Sequence, residues 1–237
     1  MQAIRSPFLR GCLASAPFTI VVVPFALLFG VVATEAGLDL LQVMLFSFSV
    51  FAGASQFAAV QLMQDQAPVL VVLATSLAVN LRMVMYSVAM APHLGAAPFG
   101  TRALMAYFLV DQSFAASQLE FERRPDQPVA DKVAFFFGTV MPIAPLWFVA
   151  TFVGAVVGEA IPQDYALDFA VPITFLAICA PMLRSIPHVV AAGVSIAAAL
   201  VLSVMPYGTG LLAAAVLAMA AGAWAEIVLE RGGGHEN

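Results

Sequence analysis

Charge is scarce in this chain: Asp, Glu, Lys and Arg make up 10% of its 237 residues, against about 25% in soluble domains. With 62% hydrophobic residues and a mean hydropathy of +0.99, too few polar side chains remain to cover a water-exposed surface, which excludes a soluble globular domain. Basic residues are the rarer sign, nine against fourteen acidic, which excludes a nucleic-acid-binding surface. Histidine is nearly absent. His93, His188 and His235 share no metal-ligand spacing, so neither a zinc site nor another cofactor is expected. Cysteine is as rare: Cys12 and Cys179 read as small apolar residues, and Cys12 is no lipoprotein signal, because Arg10 lies just before it and no apolar run precedes it.

Long apolar runs are what the chain has instead. A crossing needs about 20 such residues, and the runs fall near 13 to 34, 40 to 63, 67 to 91, 102 to 121, 132 to 158, 165 to 184, 187 to 205 and 208 to 229. The fold class is therefore all-α, a polytopic membrane helical bundle of about eight segments. Seven is the fallback, because Met205-Pro206-Tyr207-Gly208 must make a tight hairpin between the last two. The first run follows Arg5 and Arg10 as a signal peptide would, but it contains Pro17 and Pro24 and leads straight into further runs. It reads as a retained segment that proline breaks.

One transmembrane domain over residues 1–237 is expected, with a weak division into halves 1–121 and 132–237. The charged loop Glu120 to Lys132 joins them. With the N-terminus inside, Arg5, Arg10, Arg123, Arg124, Lys132, Arg184 and Arg231 fall on the cytoplasmic side and Arg102 alone falls outside. That bias places both termini in the cytoplasm. Each half opens with a proline pair, Pro17 and Pro24 or Pro142 and Pro145, too weak an echo to assign a repeat.

Polar residues inside the runs mark a candidate site. A break at Pro24 would free backbone groups for a ligand, or neighbours would satisfy a plain kink. Ser49, Gly53 and Gln56 share one helical face, where small residues allow close approach and the amide of Gln56 needs a partner. Arg82 lies mid-run, where an arginine costs about 2.5 to 3.5 kcal/mol on insertion scales and needs a partner or a wet cavity, unless it snorkels to an interface. Arg82 and Tyr86 share one face while Ser76, Asn80 and Ser87 define another, so Asn80 and Arg82 point apart in an unbroken helix. Asp111 is the one carboxylate well inside a run, on a face with Tyr107 and Gln118. Counter-ion for Arg82, proton carrier and structural pair all remain open roles for it. Trp147, Tyr165 and Tyr207 read as anchors or packing residues, and Gly154 with Gly158 as a close helix contact.

Taken in order, these residues resemble the AzlC family, the large subunit of bacterial branched-chain amino acid exporters. The resemblance rests on the proline-containing opening with Phe29-Gly30, Phe51-Ala52-Gly53-Ala54-Ser55-Gln56-Phe57, Asn80-Leu81-Arg82, Tyr107 with Asp111, and Trp147 with Gly154, over most of residues 15 to 185. The family often carries His after Asn-Leu-Arg, where Met83 stands here.

The resemblance implies a permease, not an enzyme. It implies export of leucine, isoleucine, valine and methionine from the cytoplasm, coupled to protons, with a small hydrophobic AzlD-type subunit, in the bacterial inner membrane. Pro24, Gly30, Gly53, Ser55, Gln56, Asn80, Arg82, Tyr86 and Tyr107 are then the substrate-binding candidates, with Arg82 and Asp111 as ion pair or proton-coupling pair. Three other readings compete: a scaffold subunit, a passive channel, and a rhomboid-like serine protease suggested by Gly53-Ala54-Ser55-Gln56, which would need a histidine within hydrogen-bond reach.

Overall fold

The computed structural model describes residues 6–160, 183, 185–205 and 209–233. Every element among them is helical. The described residues form two compact units, 6–60 with 79–160 and 61–78 with 183, 185–205 and 209–233. The charged loop around Glu120 to Lys132 lies inside the first unit rather than between the two.

In the first unit, α1 (Pro7–Ser15) passes through a 3₁₀ turn (Ala16–Phe18) into α2 (Thr19–Glu35). The interruption sits at Pro17; Pro24 lies inside α2, which continues past it. The expected break at Pro24 is thus absent. The long helix α8 (Val129–Ala160) runs beside them and likewise absorbs Pro142 and Pro145. Contacts rise together along both chains, from Gly11 against Phe135 and Gly138 to Gly30 against Thr151 and Gly154 and then Gly158 against Val31 and Thr34. The two are therefore parallel.

Glycine makes that approach close. A Cβ at Gly154 would strike the Leu27 carbonyl and one at Gly30 the Thr151 carbonyl, both rigid backbone. In lipid, such packing holds helices together where apolar burial does not. Overpacking costs about 1–3 kcal/mol and occasionally more, so Gly154→Leu should lower the melting temperature in detergent by roughly 5–10 °C, at about 2–4 °C per kcal/mol for a chain this size. Gly193→Ala, where an added Cβ meets nothing within 4 Å, should not lower it.

After α2 the chain turns at Gly37, φ +89°, and enters α3 (Leu40–Ser49) through a capping box in which Asp39 and Gln42 bond each other's backbone amides at 2.8 and 3.0 Å. The helix stops at Val50–Ala52 and restarts as α4 (Gly53–Gln64). Its direction follows from aromatic contacts: Phe46 of α3 packs on Phe29 at 5.9 Å, Gly53 meets Phe25, and Phe57 is back on Phe29 at 5.7 Å. The chain descends and returns. So α3–α4 is a re-entrant hairpin and not the second crossing that its apolar length suggests.

The same device recurs in opposite orientation. Helix α5 (Val69–Leu94) is followed by the turn 95–98, α6 (Phe99–Tyr107), a stop at Phe108–Val110, and α7 (Asp111–Arg123). Between α5 and α7 the contacts Arg82 to Asp111, Tyr86 to Phe114 and His93 to Phe121 rise together, so these helices are parallel. A single turn separates α5 from α6, which runs back along it with Arg102–Leu109 facing Ser87–Gly95. Hence α6–α7 is a second re-entrant hairpin and not the fourth crossing.

Phe121 packs on Phe135 and under Lys132, while Glu120 pairs with Arg10 at 3.0 Å. The start of α1, the start of α8 and the end of α7 therefore share one end of this unit with the end of α5. Arg102, one turn into α6, lies there as well, joining Arg10, Arg123, Arg124 and Lys132. The expectation of Arg102 alone on the other side came from counting both hairpins as crossings.

Each helix-plus-hairpin pair is matched in length, with arms of 10 and 12 residues in one and 9 and 13 in the other. The hairpins enter from opposite ends, an inverted-topology arrangement like those of many transporters.

In the second unit, α9 (Ile186–Val201) and α10 (Thr209–Gly233) pack together. The expected sixth segment, 165 to 184, lies almost wholly outside the described residues, as does most of the Met205–Gly208 hairpin. Among the described residues, four helical stretches, Pro7–Glu35, Val69–Leu94, Val129–Ala160 and Thr209–Leu229, are individually long and apolar enough to cross a bilayer.

Candidate functional site at the meeting hairpin tips

Both hairpins end partway along the long apolar helices beside them. Arg82, level with the second tip, lies 13 residues beyond Val69, about 20 Å along the helix. The tips touch: the Tyr107 hydroxyl donates to the Phe48 carbonyl at 2.5 Å, one of the acceptors that α3 leaves free at its end. The Phe51 ring fills the join, 5.5 to 6.1 Å from Tyr107, Phe108, Trp147 and Phe148. Trp147 is fixed in turn by donating from Nε1 to the buried Ser47 hydroxyl at 2.8 Å.

No proline or glycine explains the stop at Phe108–Val110. Ser113 does, because its hydroxyl accepts the Val110 amide at 2.9 Å and lies 2.8 Å from the Phe108 carbonyl, satisfying backbone that the interrupted helix leaves open. Asp111 becomes the first residue of α7, where the helix dipole favours a carboxylate. Arg82 Nη1 lies 3.0 Å from its Oδ2, and the Tyr86 hydroxyl donates to Oδ1 at 2.8 Å. Tyr86 is stacked on Phe114 at 4.2 Å. One carboxylate therefore collects a guanidinium, a phenol and a helix terminus.

The other tip carries a different chemistry. Gln56 lies in the first turn of α4, fully buried, and neither its amide oxygen nor its nitrogen has a partner among the described residues. Helical side chains lean toward the helix start, so this amide lies along the turn that begins at Gly53. The amides of Gly53 and Ala54 have no acceptor within the helix. Together these donors make a place for a negative group. Over it sit the Phe25 and Trp147 rings, which a Cβ at Gly53 would strike; the site is closed in this conformation.

The sequence-derived candidates separate accordingly. Gly53, the buried Ser55 and Gln56 share the first tip, while Arg82, Tyr86, Tyr107 and Asp111 share the second. Asn80 Oδ1, on α5, is buried and has no partner among the described residues. Gly30 faces the α8 backbone rather than an open space. The face proposed for Tyr107, Asp111 and Gln118 does not exist, because the chain reverses between Tyr107 and Asp111. Ser47, Phe51, Ser113 and Trp147 were not singled out for the site, although a serine at the third position of each returning arm, Ser55 and Ser113, is a signal the sequence does carry. His93 lies beside Phe121 at 5.3 Å, 11 residues along α5 from Arg82 and so about 16 Å from the tips. It is too far to serve Ser55 as a base.

The AzlC protein family model matches residues 17–161, which contain both hairpins. The chain is 28% identical over 175 residues to the inner membrane protein YgaZ of Escherichia coli (strain K12), covering 71% of this chain and 70% of that protein. It is 29% identical over 181 residues to an uncharacterized membrane protein of Archaeoglobus fulgidus, covering 75% and 76%, and 28% identical over 149 residues to one of Helicobacter pylori, covering 62% and 63%. No solved structure matches it. A family model that covers more than half of the chain, including every residue of the two tips, makes this a membrane protein of the AzlC family.

Proposed function

We propose that this chain is the substrate-carrying subunit of a proton-coupled exporter of branched-chain amino acids, working with a small hydrophobic AzlD-type subunit in the bacterial inner membrane. The observation that carries the reading is the meeting of two opposed hairpin tips, one offering unpaired donors and the other a carboxylate. A zwitterion presents the complementary charges. Its carboxylate would sit at the first turn of α4 against Gln56, and its ammonium near Asp111. Phe25, Phe51, Phe57 and Trp147 supply an apolar surround for a branched side chain. Asp111 is also the group that would exchange a proton as Arg82 leaves or returns.

The gathering of Arg10, Arg102, Arg123, Arg124 and Lys132 at one end supports a cytoplasmic side for that end and for the N-terminus, and the proposal puts the C-terminus on the same side. A scaffold has no use for a buried amide that finds no partner among the described residues, or for a guanidinium midway along an apolar helix. The test is efflux of radiolabelled leucine from preloaded proteoliposomes, with the chain alone and with a co-expressed small subunit. Efflux that requires the partner and rises with an imposed proton gradient is the expected result, and no efflux in any arrangement from folded protein would sink the reading.

A further inference from the structure

An open cleft of about 230 Å³ lies between α5 and α6. Its walls are Met90 and Leu94 on one side and Met105 and Leu109 on the other, each 4 to 5% exposed. At its mouth is Arg102, exposed and without a carboxylate partner among the described residues. At its far end is Leu109, the middle residue of the stop that forms the second hairpin tip. The cleft thus leads from the basic end of the unit to the neighbourhood of Tyr107 and Asp111.

We propose that this cleft is the loading passage through which an amino acid with a branched aliphatic side chain travels from the cytoplasmic end to the hairpin tips, its carboxylate held at the mouth by Arg102. This rests on the export reading above and adds the route.

Three features select that occupant. The space equals about seven or eight waters at ~30 Å³ each, the scale of one small amino acid and short of a lipid acyl chain. The walls are mainly apolar sulfur and branched carbon, suited to an aliphatic side chain, with the Ser87 hydroxyl the one side-chain acceptor in the lining before Asp111 is reached. The single cation is at the entrance, where it meets a carboxylate and leaves the ammonium leading inward. Arg102 also has no ion pair to give up among the described residues, unlike Arg10, which pairs with Glu120.

The test places a removable plug in folded protein. In a chain with Cys12→Ser and Cys179→Ser, Ala91→Cys puts a thiol in the cleft lining, to be modified after reconstitution by a benzyl methanethiosulfonate reagent and verified by intact mass. Labelling should lower leucine export at least tenfold, saturating leucine should slow the labelling, and dithiothreitol should restore the rate. Arg102→Gln should raise KM for leucine on the cytoplasmic side several-fold with kcat unchanged. Full-rate export by fully labelled protein would overturn the passage, and so would a thiol that does not react. An unchanged KM in Arg102→Gln would overturn the carboxylate contact. Absence of leucine export from the unlabelled parent would instead defeat the export reading, and the passage would fall with it.

Discussion

Replacing Gln56 by methionine should make the protein more stable and stop it working. A buried amide with neither atom bonded costs about 1–3 kcal/mol relative to an apolar group of similar shape, and Gln56 is fully buried with both atoms unbonded among the described residues. Methionine matches its length, bends to irregular spaces and asks for no partner. Relief of that penalty should raise the melting temperature in detergent by several degrees, at about 2–4 °C per kcal/mol. Leucine export should fall at least tenfold, because the group that the free protein leaves unsatisfied is the one a substrate carboxylate would satisfy. Stability and function would then move in opposite directions, which a packing residue does not do. A lower melting temperature would mean that the amide is already bonded in the resting protein, and parent-level export would remove Gln56 from the substrate's path.

The charge scarcity and the long apolar runs were enough to read the class of this protein, because lipid demands them of any helical bundle. They were not enough to read its path. Hydropathy counts residues, and a half-length helix, a three-residue stop and a second half-length helix contain as many as one crossing. At Phe108–Val110 the stop has no glycine or proline to announce it; the usable signal is Asp111 and Ser113 at the first and third positions of a new helix, a start pattern in the middle of an apolar run. Arg102 was misplaced by that same count. Among polar residues, Arg82, Tyr86 and Asp111 were legible because each is costly in lipid and needs a partner. Gly30 was not, since a glycine chosen for backbone contact with Thr151 and one chosen for ligand access look alike in sequence. The echo in the sequence lies at the prolines, whereas the structural match lies in the hairpins, where arm lengths repeat and side chains, Ser55 and Ser113 apart, do not.

Asp111→Asn should damage the protein more than Arg82→Gln, although both break the same pair. Without Arg82, the Asp111 carboxylate keeps the Tyr86 hydroxyl and the start of α7, two stabilising contacts that do not depend on the guanidinium. Without Asp111, the guanidinium keeps no carboxylate among the described residues, and its Nε has no partner even in the parent. Arg82 and Asp111 are partly exposed within the chain, so at that depth lipid borders the pair, and removing one member is costly chiefly because the other charge is stranded where a lone arginine is expensive. The melting temperature should therefore fall by several degrees in Asp111→Asn, by less in Arg82→Gln, and return toward the parent in the double variant, where no charge is left alone. Transport should not return with it. Gradient-driven leucine efflux should be lost in Asp111→Asn and in the double variant, whereas leucine–leucine exchange, which moves no net proton, should survive in the double variant at a higher KM, because the asparagine oxygen still accepts from the ammonium but carries no charge. Exchange lost together with efflux in that stable protein would make Asp111 a substrate contact alone, and efflux retained would remove it from coupling altogether.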